Sequence, residues 1–434
     1  MILALLLALT PLVHADEPKQ PNVLMIVADD LGWRDVGYHD SDTRTPNIDR
    51  LAKEGVRLER HYVYPTCSPT RAGLLTGRNP SRFNIHAPIG GRDEAALPKG
   101  TVTLGRALQS KGYETALFGK WHLGLTLPVG PRKYGFDRSY GYLHGQIDQL
   151  THRYKNGDRS WHRDDEFVDE EGHATDLIAA EAVMFLETKR AKPFFLYVAF
   201  SVPHYPLQED EKWTGPYKDT IKDESRRLNA ASVTHMDDAV GQLVAALEKS
   251  GQLANTLIVF TSDNGGQRNY ASKTDYGGKH GPYPTLGDNR PLRGWKTELY
   301  EGGIRVPAFA YWKGRLKPTT LERTVSFLDW YPTIGALAGV ATQPEWKLEG
   351  RDVWPLLAGM GTPPVDPLLY WNIVRSRAIM DGNWKLIVPG GKDSPPQLFD
   401  VVNDMTEKTD RASDKPDVVA ELRKKLEAQA KLDP

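Results

Sequence analysis

Short apolar runs alternate along the chain with segments whose apolar residues recur at helical spacing. Residues 22–28 carry the run Val23-Leu24-Met25-Ile26-Val27, which predicts a buried parallel strand ending in Asp29-Asp30. Thr45-Pro46 then opens a helix as N-cap and first residue. Ile48, Leu51 and Ala52 give that helix an apolar face, and Gly55 stops it. A helix is expected over 103–111, stopped by Gly112. Strands are expected over 115–118, leading into Gly119-Lys120-Trp121-His122, and over 194–200, leading to Pro203-His204. Met236, Val240, Leu243, Val244 and Leu247 mark one face of a long helix, and 257–260 reads as a strand leading to Ser262-Asp263-Asn264-Gly265. Strands alternating with helices predict an α/β fold, with a large, mostly parallel or mixed sheet covered by helices on both faces. Ligands in such sheets bind beyond the carboxyl ends of the strands. Four of the predicted strands place polar residues there, which points to one active site.

The texture changes after Gly361. Pro363, Pro364 and Pro367 suggest a linker, and short strands follow around 368–371, 376–380, 384–388 and 398–400. A last amphipathic helix starts at Pro416 with Val419, Leu422 and Leu426 inward. The expected organisation is a targeting segment at 1–15, a catalytic α/β domain at 16–360, and a C-terminal antiparallel sheet with a helix at 361–434. The first fifteen residues form an apolar run ending in Val13-His14-Ala15, a small-residue cleavage pattern too short to span a bilayer comfortably. Export to a periplasmic or secreted location is therefore expected, and no other stretch reads as a membrane span.

Composition narrows the function. At 434 residues, 26% charged, 40% hydrophobic and a net charge of −1, the chain reads as globular, without the basic balance that nucleic acid or an anionic membrane would demand. An anionic substrate would have to be met by local positive charge. There is one cysteine, Cys67, so an exported chain has no internal disulfide. Cys67 is either an inert small hydrophobe or a reactive group, and its context decides.

That context, residues 67–78, is CSPTRAGLLTGR. It resembles the signature of the sulfatase family: Cys67, Pro69 and Arg71 hold the core positions, and Leu75-Thr76-Gly77-Arg78 complete the extended motif. The resemblance implies that a separate maturation enzyme oxidises Cys67 to formylglycine (3-oxoalanine). A hydrated aldehyde has two hydroxyls on one carbon. One can attack sulfur and displace the alcohol, and the other can then expel sulfate, which splits one hard step into two. A helix starting after the nucleophile would favour the anionic sulfate.

The strand-end residues resemble the same family. Asp29, Asp30, Asp263 and Asn264 look like its calcium ligands, together with the modified Cys67, and hard oxygen donors suit Ca²⁺. Each pair by itself could equally be a helix cap or a turn. Arg71, Lys120 and His122 resemble the cations and the base at the formylglycine, His204 the proton donor to the leaving alcohol, and Lys296 in LRGWKTELYEGGIRVP a sulfate contact. Charge developing on the leaving oxygen needs such groups. An isolated histidine is more often a surface or hydrogen-bonded core residue, so His39, His61, His173 and His235 receive no role.

The resemblance runs from about Asn22 to Leu398-Phe399-Asp400. Three stretches, YGFDRSYGYLHGQIDQLTH, KPFFLYVAFSVPHYPLQ and DNRPLRGWKTELYEGGIRVP, are similar to the arylsulfatase B, or N-acetylgalactosamine-4-sulfatase, type. It implies a sulfated oligo- or polysaccharide as substrate. Substrate contacts are expected from His86 and Arg92, Asp148 with His152 and Arg153, Trp161, Tyr205, and the 276–289 loop, although each could also be a solvated loop residue. Competing readings are a related formylglycine-dependent phosphate or phosphonate ester hydrolase and a non-catalytic glycan-binding protein.

Overall fold

The computed structural model describes residues 20–90, 95–361, 364–391 and 394–434. The expected targeting segment and Arg92 lie outside the described residues. Ten strands form one mixed sheet, in the order Thr319–Leu321, Val56–Leu58, Ala308–Tyr311, Thr256–Ser262, Asn22–Ala28, Phe194–Ala199, Glu114–Lys120, Arg138–Tyr142, Trp161–Arg163 and Glu166–Phe167. The pairings that join Thr256–Ser262, Asn22–Ala28, Phe194–Ala199, Glu114–Lys120 and Arg138–Tyr142 are parallel. Antiparallel pairings lie to either side of this block, and the edge strand Thr319–Leu321 pairs parallel with Val56–Leu58.

Period-two geometry explains why the central strands are apolar on both sides. Val23, Met25 and Val27 face a core that includes Leu74 and Leu75 of the Cys67–Thr76 helix and Trp330 and Ile334 of the Trp330–Leu337 helix. Leu24, Ile26 and Ala28 face the other way, onto Ile178 and Phe185 of the Ala174–Glu187 helix and Met236, Val240 and Leu243 of the Glu224–Lys249 helix.

The C-terminal strands Leu369–Ile373, Ser376–Asp381, Trp384–Pro389 and Gln397–Asp400 pair antiparallel in chain order. Their alternation is also used twice. Leu369, Trp371, Met380 and Phe399 join the main core, whereas Tyr370, Ile379, Leu386 and Leu398 pack on Leu422 and Leu426 of the Pro416–Ala430 helix. No helix among the described residues is long and apolar enough to cross a membrane.

Candidate active site

Four neighbouring parallel strands end on the same edge of the sheet, so residues far apart in sequence meet there. The Asn22–Ala28 strand delivers Asp29 and Asp30, and Thr256–Ser262 delivers Asp263 and Asn264. The loop after Phe194–Ala199 carries His204. Lys120 is the last residue of its strand, two positions before His122. The Glu114–Lys120 strand thus runs two residues past its expected end. Gly119 makes this feasible: its φ is +109°, and a Cβ there would meet the Ala199 carbonyl oxygen at 1.8 Å.

Cys67 opens the Cys67–Thr76 helix and is 2% exposed. Ser68 locks the next residue in place by donating to the His122 carbonyl at 2.9 Å and accepting from the Ile89 N–H at 3.0 Å. Cys67, His122, His204 and Lys296 line one open cavity of about 520 Å³. Burial pushes the Cys67 thiol up, against the pull of Lys120 and Lys296. An unmodified cysteine here is a poor thiolate.

Behind that cavity lies a dense array of buried charge. Lys120 Nζ is 2.6 Å from Asp29 Oδ2, and Lys296 Nζ is 2.7 Å from Asp30 Oδ1. Arg71 donates from Nε and Nη2 to Asp263 Oδ2 at 3.0 and 2.6 Å, and from Nη1 to the Lys120 carbonyl at 3.3 Å. Burial tends to raise Asp30, but Lys296 and His204 hold it down at about 2. Asp29 moves the other way: burial, with the Asp263 carboxylate behind it, pushes it up despite Lys120. A further positive charge would relax that strain.

Two oxygens show where such a charge fits. Asp29 Oδ1 and Asn264 Oδ1 are buried with no hydrogen-bond partner among the described residues, while Asn264 Nδ2 donates to Asp30 Oδ1 at 2.7 Å. Ligand atoms of Asp29, Asp30 and His204 also lie within 4.8 Å of one another. This oxygen-rich set fits a hard divalent cation.

The histidines are oriented differently. His204 Nδ1 lies 2.7 Å from the Tyr205 carbonyl, which fixes a proton on Nδ1 and leaves Nε2 facing Asp30 Oδ2 at 3.7 Å. His122 Nε2 lies 3.1 Å from the Ile89 carbonyl, leaving Nδ1 buried without a partner among the described residues. Burial, then the neighbouring lysine in each case, holds both rings well below the usual imidazole range. Asp30, His122 and Thr297, beside Lys296, all have positive φ (69°, 54° and 76°). Left-handed backbone costs a non-glycine residue free energy, and here it falls on three site segments.

The Lys296 segment is set by contacts on both sides. Thr297 N–H donates to the Pro65 carbonyl at 2.8 Å, two residues before Cys67, and Lys296 N–H to the Gly266 carbonyl at 3.1 Å. A Cβ on Gly265 would meet the Gly302 carbonyl oxygen at 1.8 Å, so the Asp263-Asn264 turn closes on that segment only with glycine there.

Comparison with known proteins places the chain in a family. The sequence profile of the sulfatase family matches residues 21–340. The chain belongs to the sulfatase family. As a sulfatase, it is a sulfuric ester hydrolase. It is similar to arylsulfatase J of Mus musculus, 34% identical over 88% of this chain and 67% of that protein. It is also similar to N-acetylgalactosamine-6-sulfatase of Mus musculus, 31% identical over 88% and 75%. Among solved structures, Ps i-CgsB in complex with k-i-k-neocarrahexaose superposes with a TM-score of 0.86 at 32% identity, covering 96% of this chain and 94% of that one. PsFucS1 sulfatase from Pseudoalteromonas sp. gives 0.78 at 26%, covering 96% and 91%. These relatives carry several sulfatase names, and the finer likeness to the 4-sulfatase type is not confirmed by them.

The expected substrate contacts divide. Tyr205 lines the cavity of this sulfatase. His86, His152, Arg153 and Trp161 are not among its lining residues. His86 Nδ1 lies 3.1 Å from the Asn372 carbonyl, His152 stacks on the buried Trp161, and Arg153 pairs with Asp169 at 2.7 Å. Asp148 is 2.8 Å from His280. The walls come instead from Gln146, Tyr154 and Lys155, from Arg268 and Tyr270, and from Trp295. Three of these had a signal in their neighbours: Arg268 and Tyr270 follow Ser262-Asp263-Asn264-Gly265, and Trp295 precedes Lys296.

Proposed function

We propose that the protein removes sulfate from a sulfated oligo- or polysaccharide, using a formylglycine made from Cys67 and a calcium ion held by Asp29, Asp30, Asp263 and Asn264. The observation that carries this reading is the single cavity in which Cys67 meets His122, His204 and Lys296 in front of that buried acid cluster. As formylglycine hydrate, residue 67 would supply the nucleophile for sulfur. Calcium would supply Lewis-acid neutralisation of the sulfate's negative charge. The unpartnered Asp29 Oδ1 and Asn264 Oδ1 are the donors that support its fit.

The other residues then have separable tasks. Lys296 and Lys120 supply fixed positive charge to the sulfate without reorganisation. Arg71 holds the Asp263 carboxylate in a two-pronged grip. His122 accepts a proton at Nδ1, because Nε2 is committed to the Ile89 carbonyl. His204 carries a proton at Nε2 to the departing alcohol. An empty cavity favours its neutral ring, and an incoming sulfate offsets the lysine charge that disfavours protonation.

The wall favours a carbohydrate. Trp295 and Tyr270, the latter backed by the stacked Tyr205, offer aromatic surface for a sugar ring, and Arg268 offers charge to a further anionic group. The similarity to Ps i-CgsB, solved with k-i-k-neocarrahexaose, supports the same class. The leading apolar segment supports an exported, periplasmic or secreted protein, and the CSPTRAGLLTGR run at 67–78 supports maturation by a formylglycine-generating enzyme. Sulfate release from a panel of sulfated saccharides, alongside matched aryl sulfate and aryl phosphate, tests the reading. Saccharide and aryl sulfate turnover are expected. Preference for aryl phosphate would move it to the phosphate or phosphonate hydrolase alternative, and turnover of neither to the glycan-binding alternative.

A further inference from the structure

We propose that His173, Glu209 and His235 form a second cation site, which takes a divalent transition-metal ion of the zinc class. The site stands apart from the oxygen cluster and does not depend on the function proposed above. His173 is the N-cap of the Ala174–Glu187 helix, His235 lies midway along the Glu224–Lys249 helix, and Glu209 lies between them in the chain, five residues beyond His204.

Their ligand atoms already converge within 4.8 Å of one another. His235 Nδ1 is 2.9 Å from Glu209 Oε2, and His173 Nε2 is 3.7 Å from Glu209 Oε1. Donors around a tetrahedral zinc ion with bonds of about 2.0–2.1 Å stand roughly 3.3–3.4 Å apart. The side chains need only small shifts to meet that geometry. They are also well removed from solvent, with exposures of 10% for His173, 1% for Glu209 and 3% for His235.

A proton shared by His235 accounts for only part of the cluster. It would satisfy the contacts to Glu209 Oε2 and to Asp176 Oδ1 at 3.0 Å. It would leave Glu209 Oε1 and His173 Nε2, both buried, 3.7 Å apart, too far for a hydrogen bond between them. A metal ion satisfies both at once. It also gives Asp176 a purpose: with the metal on Nδ1, His235 keeps its Nε2 proton and donates it to Asp176, the carboxylate–histidine arrangement that orients metal-ligating imidazoles. Trp213 stacks on the His235 ring at 4.4 Å and closes that side. Two imidazoles and one carboxylate are a borderline donor set, unlike the oxygen donors of Asp29, Asp30, Asp263 and Asn264, so the two sites would sort different ions. Coordination through His173 Nε2 moves that ring's proton to Nδ1. The cap it now offers to the Thr175 N–H at 3.2 Å is then lost, which opposes binding.

The test uses the full mature chain, stripped of metal, refilled with excess calcium and titrated with Zn²⁺ or Co²⁺ alone. Expected are one tightly retained equivalent of zinc and, with cobalt, the visible absorption of a four-coordinate nitrogen-containing site. Both should vanish in Glu209→Gln and His173→Gln, weaken about 10- to 100-fold in Asp176→Asn, and persist in Asp29→Asn. Uptake that survives in Glu209→Gln and His173→Gln, or no retained metal, overturns the proposal. If either variant fails to fold, anomalous diffraction from zinc-soaked wild-type crystals decides. A peak between His173, Glu209 and His235 supports the site, and its absence at saturating zinc refutes it.

Discussion

Replacing Lys385 with methionine probes the joint between the C-terminal sheet and the segment that carries Lys296. Lys385 lies in the Trp384–Pro389 strand and is fully buried, with Nζ 2.6 Å from Glu301 Oε1 and 2.9 Å from Glu407 Oε1. Glu301 also accepts from the Tyr62 hydroxyl at 2.8 Å and lies 3.5 Å from Arg305, while Glu407 Oε2 accepts the Glu301 N–H at 2.7 Å. Methionine fills similar space but removes the charge between two buried carboxylates. Glu301 keeps Arg305 and Tyr62. Glu407, already pushed up by burial, has no other ion-pair partner among the described residues and is driven further toward its protonated form. Breaking a buried ion pair by removing one partner costs about 3–5 kcal/mol, and because burial already raises Glu407 with Lys385 in place, the lower end, about 3 kcal/mol, is expected. The sign follows from the raised folded-state pKa: the penalty is fully present at pH 7 and shrinks as pH falls toward 4.5. Urea unfolding of variant and wild type, compared at pH 7 and pH 5, measures it. Adding Glu407→Gln should restore much of the loss at pH 7. A penalty under about 1 kcal/mol at pH 7, or one that does not shrink on acidification, would refute the reasoning.

Other outcomes follow from the same structure. His204→Ala is expected to slow substrates with poor leaving groups far more than activated aryl sulfates, by about 10²- to 10⁴-fold against a much smaller loss. Equal losses would remove His204 from the leaving-group step. Burial drives His61 to about 3, and its Nε2 accepts the Trp330 indole N–H at 3.0 Å. Because the folded value lies below the ordinary 6.5, stability should fall by up to about 1.4 kcal/mol per pH unit as pH drops from 6.5 toward 3. His61→Gln, measured by unfolding at pH 7 and pH 5, should flatten that slope, and an unchanged slope would contradict the assignment. Chelation should abolish turnover and calcium restore it, whereas Asp263→Asn should raise the calcium needed. An unchanged calcium requirement would take Asp263 out of the ligand set.

Much of this architecture could be read from local pattern. Apolar runs at 22–28, 194–200 and 257–260 became the adjacent central strands, because a strand buried on both faces leaves an unbroken hydrophobic record. Their ends carried the polar residues, so the sheet edge was legible too. The cavity wall was not. His152 and Trp161 looked like sugar contacts, but their rings stack on each other inside the fold. Arg268 and Trp295 face the cavity only because loops from distant segments fold back over it, and loops have no period to read. The left-handed backbone at Asp30, His122 and Thr297 was equally hidden, since none is glycine. His173 and His235 looked ordinary because their partner, Glu209, is brought to them only by the packing of two helices against the loop after Phe194–Ala199.

The most direct measurement pairs chemistry with turnover at residue 67. Preparations matured to different extents are assayed for sulfate release, and the aldehyde fraction of the Cys67 peptide is determined by mass spectrometry. The account predicts a rate proportional to that fraction, vanishing with it, and absent in a folded Cys67→Ala variant. Sulfate release from protein in which residue 67 is entirely cysteine, or from Cys67→Ala, would contradict it.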